Sequence, residues 1–302
     1  MILDQPADFA PAAARLAPAA RGVARAAFLV SPAGFRLAEE SASDNLYMDL
    51  GQSVSEARAL AEHAELARRL SKSLPIVTFP GDPETPDQVF PNNVWATAPG
   101  RLIVGSMRHE VRRREARRAD IPRFFHDLLG YERVEIAPSG GVAELTGPLV
   151  IDRAREIGYC GLTERCDRRG AEAMHDAFRL AATCVFELQP DEYHTNVFMA
   201  VLAGRVLVIH PPSFADASVP EAIARIYAEK VIRLDDEEKA AFAGNCIALD
   251  ESTVWMSDRA ANALSGNHKS DLERWGFKIE SAPLEEIEKA GGSLRCCVAE
   301  IF

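Results

Sequence analysis

A chain of 302 residues with 47% apolar and 26% charged side chains is long enough for one large or two ordinary globular domains. Its formal net charge of −11 argues against a nucleic-acid partner, because phosphate binding wants a basic face. It has no apolar run of about 18 residues, so no transmembrane helix and no membrane partner are expected.

In chain order, the Ala- and Pro-rich stretch before Val23 reads as a loose N-terminal arm, residues 1–22, with no basic segment leading into an apolar core as in a secretory signal. Residues 23–302 then read as a single domain. "RAAFLV" is a strand, "SVSEARALAEHAELARRLSKSL" a helix with an N-cap serine, and "LPIVTF" a strand. "VWATA" and "RLIVGSM" form a hairpin around Pro99-Gly100, and "ADIPRFFHDLLG" is a helix stopped by Gly130. The unit recurs. "PLVIDRAREIGYCGL" is a hairpin, "RRGAEAMHDAFRLA" a helix and "CVFELQ" a strand. "VFMAVLAGRVLVIHP" turns at Ala203-Gly204, before the helix "PEAIARIYAEK" and the strand "KVIRL". "CIALDESTVWMS" is a further hairpin, "DRAANALSGNHKSDLERWG" is helical, and "FKIESAP" is a strand. A short helix, "LEEIEKA", leads to a terminal strand carrying Cys296 and Cys297. A hairpin inside every unit argues against an all-parallel sheet, which needs a crossover between each strand pair. An α/β ring of small mixed sheets fits the pattern.

The chain contains no phosphate-binding loop, dinucleotide fingerprint, zinc-protease or serine-hydrolase motif. Six cysteines are widely spaced without a CxxC, which points to free thiols in a reducing cytoplasm. What remains is a set of polar residues beside strands: Asn92 and Asn93 in "FPNN", Glu144 in "AELTGP", His194 and Asn196 in "EYHTN", and Cys296 in "RCC". Each alone has an ordinary reading as a turn former, a hydrogen-bonding histidine or a core thiol. Together, cysteine, histidine and a carboxylate are the parts of thiol nucleophilic catalysis. They lie at equivalent places in successive units, which a ring would bring to one cavity. If the last strand alternates, Cys296 faces that cavity and Cys297 the packed layer.

"FPNN", "AELTG", "EYHTN" and "GGSLRCC", in that order, resemble the signature blocks of the guanidino-group-modifying, or pentein, superfamily. "GLTERCDRRGAEAMHDAF", "FAGNCIAL" and "EIEKAGGSLRCC" are similar to segments of the dimethylarginine dimethylaminohydrolases, and "HPPSFADA" resembles the bacterial arginine dihydrolases. The resemblance implies a five-bladed α/β propeller. It places the nucleophile at Cys296, the acid–base histidine at His194 and the carboxylate at Glu144. It also places a substrate-carboxylate arginine at Arg112, within the basic run 108–118. Two positions depart from the family pattern: Asn93 stands where deiminases and dimethylargininases carry Asp, and Asn196 where deiminases carry Asp. An amide does not balance a guanidinium cation but can donate to a neutral ureido carbonyl. Citrulline hydrolases resemble this chain at both positions, whereas arginine dihydrolases share only the first. Pro148 departs from the Asp or Ser that many members have.

The expectation is therefore a hydrolase of C–N bonds other than peptide bonds. It acts on the terminal guanidino or ureido group of a small arginine-derived amino acid, with Asn92, Asn93, Asn196 and Arg112 as substrate ligands. Neither metal nor organic cofactor is expected, and a homo-oligomer is possible. Three other readings stand beside it. They are dimethylarginine hydrolysis, a catalytically silent amino-acid-binding protein of the same fold, and a metal site built from His194, Cys296 and Glu144.

Overall fold

The computed structural model describes residues 1–302. Its strands form five small sheets that share one internal plan. In each, a first strand pairs antiparallel with a second, and the second pairs parallel with a third. Trp95–Ala98, Arg101–Val104 and Glu132–Glu135 make one such sheet. Leu149–Asp152, Ile157–Leu162 and Ala182–Glu187 make another. Met199–Leu202, Val206–Ile209 and Val231–Arg233 follow, then Ile247–Ala248, Thr253–Ser257 and Lys278–Ala282. The last sheet joins the two ends of the chain, with Ala299–Ile301 antiparallel to Ala26–Val30 and the latter parallel to Ile76–Phe79.

The plan follows from local chemistry. The hairpin turns fall where the backbone can reverse: Pro99 and Gly100 alone link the paired Ala98 and Arg101, with Gly100 at φ 72°. At the other anticipated turn, Ala203 and Gly204 are both left-handed, at φ 49° and 66°. Each parallel pair is bridged by helix, as a crossover requires. Glu56–Leu70 is capped by Ser55 and buries Ala59, His63, Leu66 and Leu70, one face at helical spacing. Arg168–Phe178 is capped by Asp167, whose side chain accepts from Gly170 N at 2.7 Å. First strands of different sheets touch: Ala299–Ile301 meets Trp95–Ala98, and Met199–Leu202 meets both Leu149–Asp152 and Ile247–Ala248.

Three expectations are corrected. The N-terminal arm is not loose: Ile2–Leu3 extends a sheet by pairing with Thr183 and Cys184, and Phe9 on the helix Pro6–Ala13 is fully buried among Tyr159, Ile223 and Tyr227. Its alanines and prolines concealed one apolar anchor. The stretch 258–274 is two helices, because Leu264 turns extended and Ser265 starts a new cap. Cys296 and Cys297 lie in a 3-10 turn, Leu294–Cys297, and the strand begins only at Ala299. No helix is long and apolar enough to cross a membrane.

Candidate active site

The polar residues singled out from the sequence occupy one structural position repeated five times, the turn just before the first strand of each sheet. Asn92 and Asn93 sit in the 3-10 turn Pro91–Asn93 before Trp95. Asn196 sits in Thr195–Val197 before Met199, and Cys296 in Leu294–Cys297 before Ala299. Glu144 opens the reverse turn before Leu149, closed by Gly147 N donating to Glu144 O at 3.0 Å. The fifth turn, Phe242 to Asn245, supplies a residue not singled out before, Asn245. A left-handed Phe242 at φ 65° lets Asn245 N reach Phe242 O at 2.9 Å.

These turns are stitched to one another. Thr146 O accepts from Asn196 Nδ2 at 2.9 Å and Asn92 Nδ2 at 3.3 Å, and Asn196 N donates to Gly147 O at 3.0 Å. Asn245 Nδ2 donates both to Asn196 O at 2.8 Å and to Cys296 Sγ at 3.2 Å. Gly147 is required here, because a Cβ would lie 2.6–2.8 Å from the His194 ring. Tyr193 stacks on that ring at 4.4 Å between centroids and donates to Gly291 O at 2.5 Å.

The centre is enclosed: Glu144 and His194 are 0% exposed, Cys296 and Asn196 1%, and Asn93 5%. Enclosure makes unpaired polar atoms costly. Yet Asn93 Oδ1, Glu144 Oε1 and His194 Nδ1 have no protein partner. His194 Nε2 lies 3.1 Å from Glu144 Oε2 but out of line for a hydrogen bond. In a folded core such groups are normally satisfied, so these atoms on linked turns are free to hydrogen-bond a polar molecule.

Burial works against the Glu144 carboxylate, but the Arg165 guanidinium, His194 and Arg112 outweigh it and hold its pKa at about 2. Burial also pushes His194 below the ordinary imidazole value. Glu144 resists that shift, and the nearby Arg165 and Arg112 add to it. Glu144 is thus ionised and His194 neutral near pH 7. Burial raises the Cys296 thiol, opposed by the Asn245 donor, the Ser293–Cys296 backbone bond, Arg295 and Asn196. Cys297 is raised well above the thiol range by burial and by neighbouring Cys296 and carboxylates, without those donors. The two cysteines therefore differ in kind, through the 3-10 turn instead of strand alternation.

Arg112 is buried beside the centre and held by backbone carbonyls. Its NH1 and NH2 groups donate to Asp87 O at 2.7 Å and Phe90 O at 2.9 Å, and its Nε lies 3.2 Å from Glu115 Oε1. Arg112 is 2% exposed and braces the loop that carries Asn92 and Asn93, while its Nε, although near Glu115, has no hydrogen-bond partner. Helical periodicity could not separate it from its four neighbouring arginines. A second buried cation, Arg165, lies 3.4 Å from Glu144 Oε2. It borders a cleft of about 360 Å³ with Asp44, Thr163, Glu192 and Tyr193. Nothing in the "GLTERC" stretch distinguished it from a solvated charge. Asn92 also serves the scaffold, its amide donating to Thr146 O, while Asn196 Nδ2 donates both to Thr146 O at 2.9 Å and to Cys296 Sγ at 3.7 Å. No group of three or more His, Cys, Asp or Glu side chains is placed to hold a metal ion.

Over residues 31–302 the chain matches the family described as eukaryotic N,N dimethylarginine dimethylhydrolase. It belongs to that family. Its relatives include the N(G),N(G)-dimethylarginine dimethylaminohydrolase of Mycobacterium tuberculosis, 25% identical over 72% of this chain and 66% of that one. The bifunctional arginine dihydrolase/ornithine cyclodeaminase ArgZ of Synechocystis is 29% identical over 36% of this chain and 15% of ArgZ. The crystal structure of ArgZ without ligand superposes with a TM-score of 0.79 at 20% identity, covering 91% of this chain and 40% of ArgZ. The chain thus spans about two fifths of that bifunctional protein. A dimethylarginine dimethylaminohydrolase adduct with 4-chloro-2-hydroxymethylpyridine superposes at 0.70 with 21% identity, covering 92% of this chain and all of that one. Family and structural likeness agree on the pentein kinship that the sequence blocks indicate, and on a hydrolase fold of the α/β class.

Proposed function

We propose that this chain is a thiol hydrolase cleaving a C–N bond at the terminal guanidino or ureido carbon of an arginine-derived amino acid. Arginine or citrulline is the substrate in this reading, and ornithine the end product. The observation that carries it is the convergence of unsatisfied buried atoms of Glu144, His194 and Asn93 on the turns that hold a thiol with its own N–H donor. The five sheets act as the blades of a propeller, supported by their common plan and by the pairing of the first and last segments of the chain. The chain works as one catalytic domain.

In this reading the Cys296 proton passes to His194, and Sγ bonds to the substrate carbon. Asn245 stabilises the thiolate by a charge-assisted hydrogen bond. The C–N bond breaks and the leaving amine departs with the proton from His194. The imidazole, again neutral, takes a proton from water as the oxygen attacks the adduct, and Sγ leaves. Glu144 accepts from the substrate nitrogens and steadies the imidazolium. Asn93 presents an unpaired amide to the far edge of the group. Arg165 receives the α-carboxylate, in the role first expected of Arg112.

Charge balance supports tolerance of a neutral ureido group. Glu144 already faces the Arg165 guanidinium at 3.4 Å, so it is not a free counter-charge for a second cation. The family description and the mycobacterial relative favour a second reading, in which dimethylarginine is hydrolysed to citrulline. One screen separates them. L-arginine, L-citrulline and dimethylarginine are incubated with wild type and with Cys296→Ala, and ornithine and citrulline are scored. Ornithine from arginine or citrulline supports the first reading. Citrulline from dimethylarginine alone supports the second. Equal product from both proteins removes Cys296 as nucleophile.

A further inference from the structure

The segment 39–50 is fastened to three loops around the site and borders the cleft beside Arg165. Ser41 Oγ donates to Asp87 Oδ2 at 2.5 Å, Tyr47 OH donates to Glu192 Oε2 at 2.8 Å, and Met48 bridges to Ala290. Asp87, Glu192 and Ala290 lie on the loops that lead to Asn93, His194 and Cys296. The central fastening is Asp44. Its Oδ1 accepts from Arg165 Nε at 2.9 Å and NH2 at 2.5 Å. Arg165 NH2 also reaches Ser41 O at 2.6 Å, and NH1 points toward Glu144. The Nε–NH2 edge of a guanidinium is the edge that receives a carboxylate, and here Asp44 fills it.

We propose that Asp44 is an internal stand-in for the substrate's α-carboxylate, holding Arg165 while the site is empty and yielding it when a carboxylate-bearing ligand enters. The proposal rests on the reading of Arg165 as the carboxylate receptor. Its physical basis is an exchange in which one carboxylate replaces another on one guanidinium, so no buried charge is left unpaired. Asp44 also has somewhere to go. Its second oxygen, Oδ2, faces His109 Nε2 at 2.9 Å and Arg108 Nε at 3.6 Å, and these partners remain when Oδ1 is released. The cleft bordered by Asp44, Arg165 and Tyr193 supplies the approach. A ligand without a carboxylate has nothing to offer Arg165 and must leave the latch closed. Selection for α-amino acids over their decarboxylated amines then arises from the displaced residue as well as from the receptor.

The test separates the latch from the reaction. Hydrogen exchange is measured on unliganded wild type and Asp44→Asn, with Asp44→Ser as a second variant. The amides of 39–50 are expected to exchange at least about tenfold faster in both variants, equivalent to about 1.4 kcal/mol of lost closure. Unchanged exchange overturns the latch whatever the enzyme's substrate. Calorimetry then compares L-arginine, L-citrulline and agmatine on Cys296→Ser with and without Asp44→Asn. Asp44→Asn should tighten binding of the two amino acids by about tenfold, the same 1.4 kcal/mol, and leave agmatine unchanged. Weaker amino-acid binding overturns the proposal and makes Asp44 a ligand for the α-ammonium. If neither amino acid binds the parent protein, the functional reading fails, and the exchange result alone decides the latch.

Discussion

Replacing Asn93 by Asp is the sharpest test of how this site reads charge. Asn93 is nearly enclosed and its Oδ1 is unpartnered, so the change from amide to carboxylate adds a charge without breaking a protein hydrogen bond. Asn196→Asp does not share that property, because Asn196 Nδ2 donates to Thr146 O at 2.9 Å and a carboxylate there would set two acceptors face to face. A hydrogen bond to a charged group contributes about 1.5–3 kcal/mol against about 0.5–1.5 for a neutral one. The gain for a guanidinium at Asn93→Asp is therefore about 1–1.5 kcal/mol, or roughly 5- to 13-fold. A neutral ureido group gains nothing and loses an N–H donor to its carbonyl oxygen. The ratio of kcat/KM for arginine to that for citrulline should rise by about tenfold or more, while Asn93→Ala lowers both values without moving the ratio. A ratio unchanged within about twofold in Asn93→Asp would refute the assignment of Asn93 to the guanidino or ureido edge. Stable accumulation of citrulline from arginine by wild type, with none consumed, would refute it too.

Cys296→Ser should abolish turnover, whereas Cys297→Ser should keep most of it and lower the melting temperature by about 2 degrees, as expected for about 1 kcal/mol in a core of this size. Equal loss of activity in two folded variants would remove the distinction. Asn245→Ala should lower kcat by about 10- to 150-fold with little change in KM, because its bond strengthens as Sγ gains charge and is worth about 1.5–3 kcal/mol. A pure KM effect would assign Asn245 to substrate binding. Arg112→Ala should cost about 1–3 kcal/mol of stability in denaturant unfolding, since it leaves the carbonyls of Asp87 and Phe90 without their donors. Unaltered stability with a raised KM for amino acids alone would restore Arg112 as the carboxylate receptor. Glu144, held at about 2 against an ordinary 4.5, contributes stability present above pH 4.5 and lost as the pH falls toward 2. Glu144→Gln should therefore be less stable at neutral pH by about 3 kcal/mol, with the gap to wild type narrowing through that acid window. A gap independent of pH would mean the loss is packing.

The element order was legible because each hairpin carries its own turn chemistry and each crossover helix its own apolar stripe. Pro99-Gly100, Ala203-Gly204 and the Ser55 cap each fall where local preference places them. The strand Glu132–Glu135 was not legible. It pairs through its backbone with Arg101–Val104, while its side chains stay largely exposed, so no apolar alternation announces it. The N-terminal helix was hidden in the same way, by having one buried anchor, Phe9, in a stretch of alanines and prolines.

The residues of the site divide along a similar line. Cys296, His194 and Glu144 carry chemistry that few residue types supply, so their side chains declare themselves. Arg112 and Arg165 carry the same group in stretches of similar polarity, and only their partners tell them apart. One is spent on the backbone carbonyls of Asp87 and Phe90; the other rests on Asp44, a side-chain carboxylate with two further cations beside it. In the proposed reading a guanidinium held mainly by backbone carbonyls braces the chain, because those carbonyls move only with the backbone. In the proposed latch, the guanidinium bound to a carboxylate on a separate segment is exchangeable, because another carboxylate can offer an oxygen to the same Nε–NH2 edge. The proposed division of labour between these two arginines thus rests on what each one's partner can surrender, a property of the folded molecule that no residue type encodes.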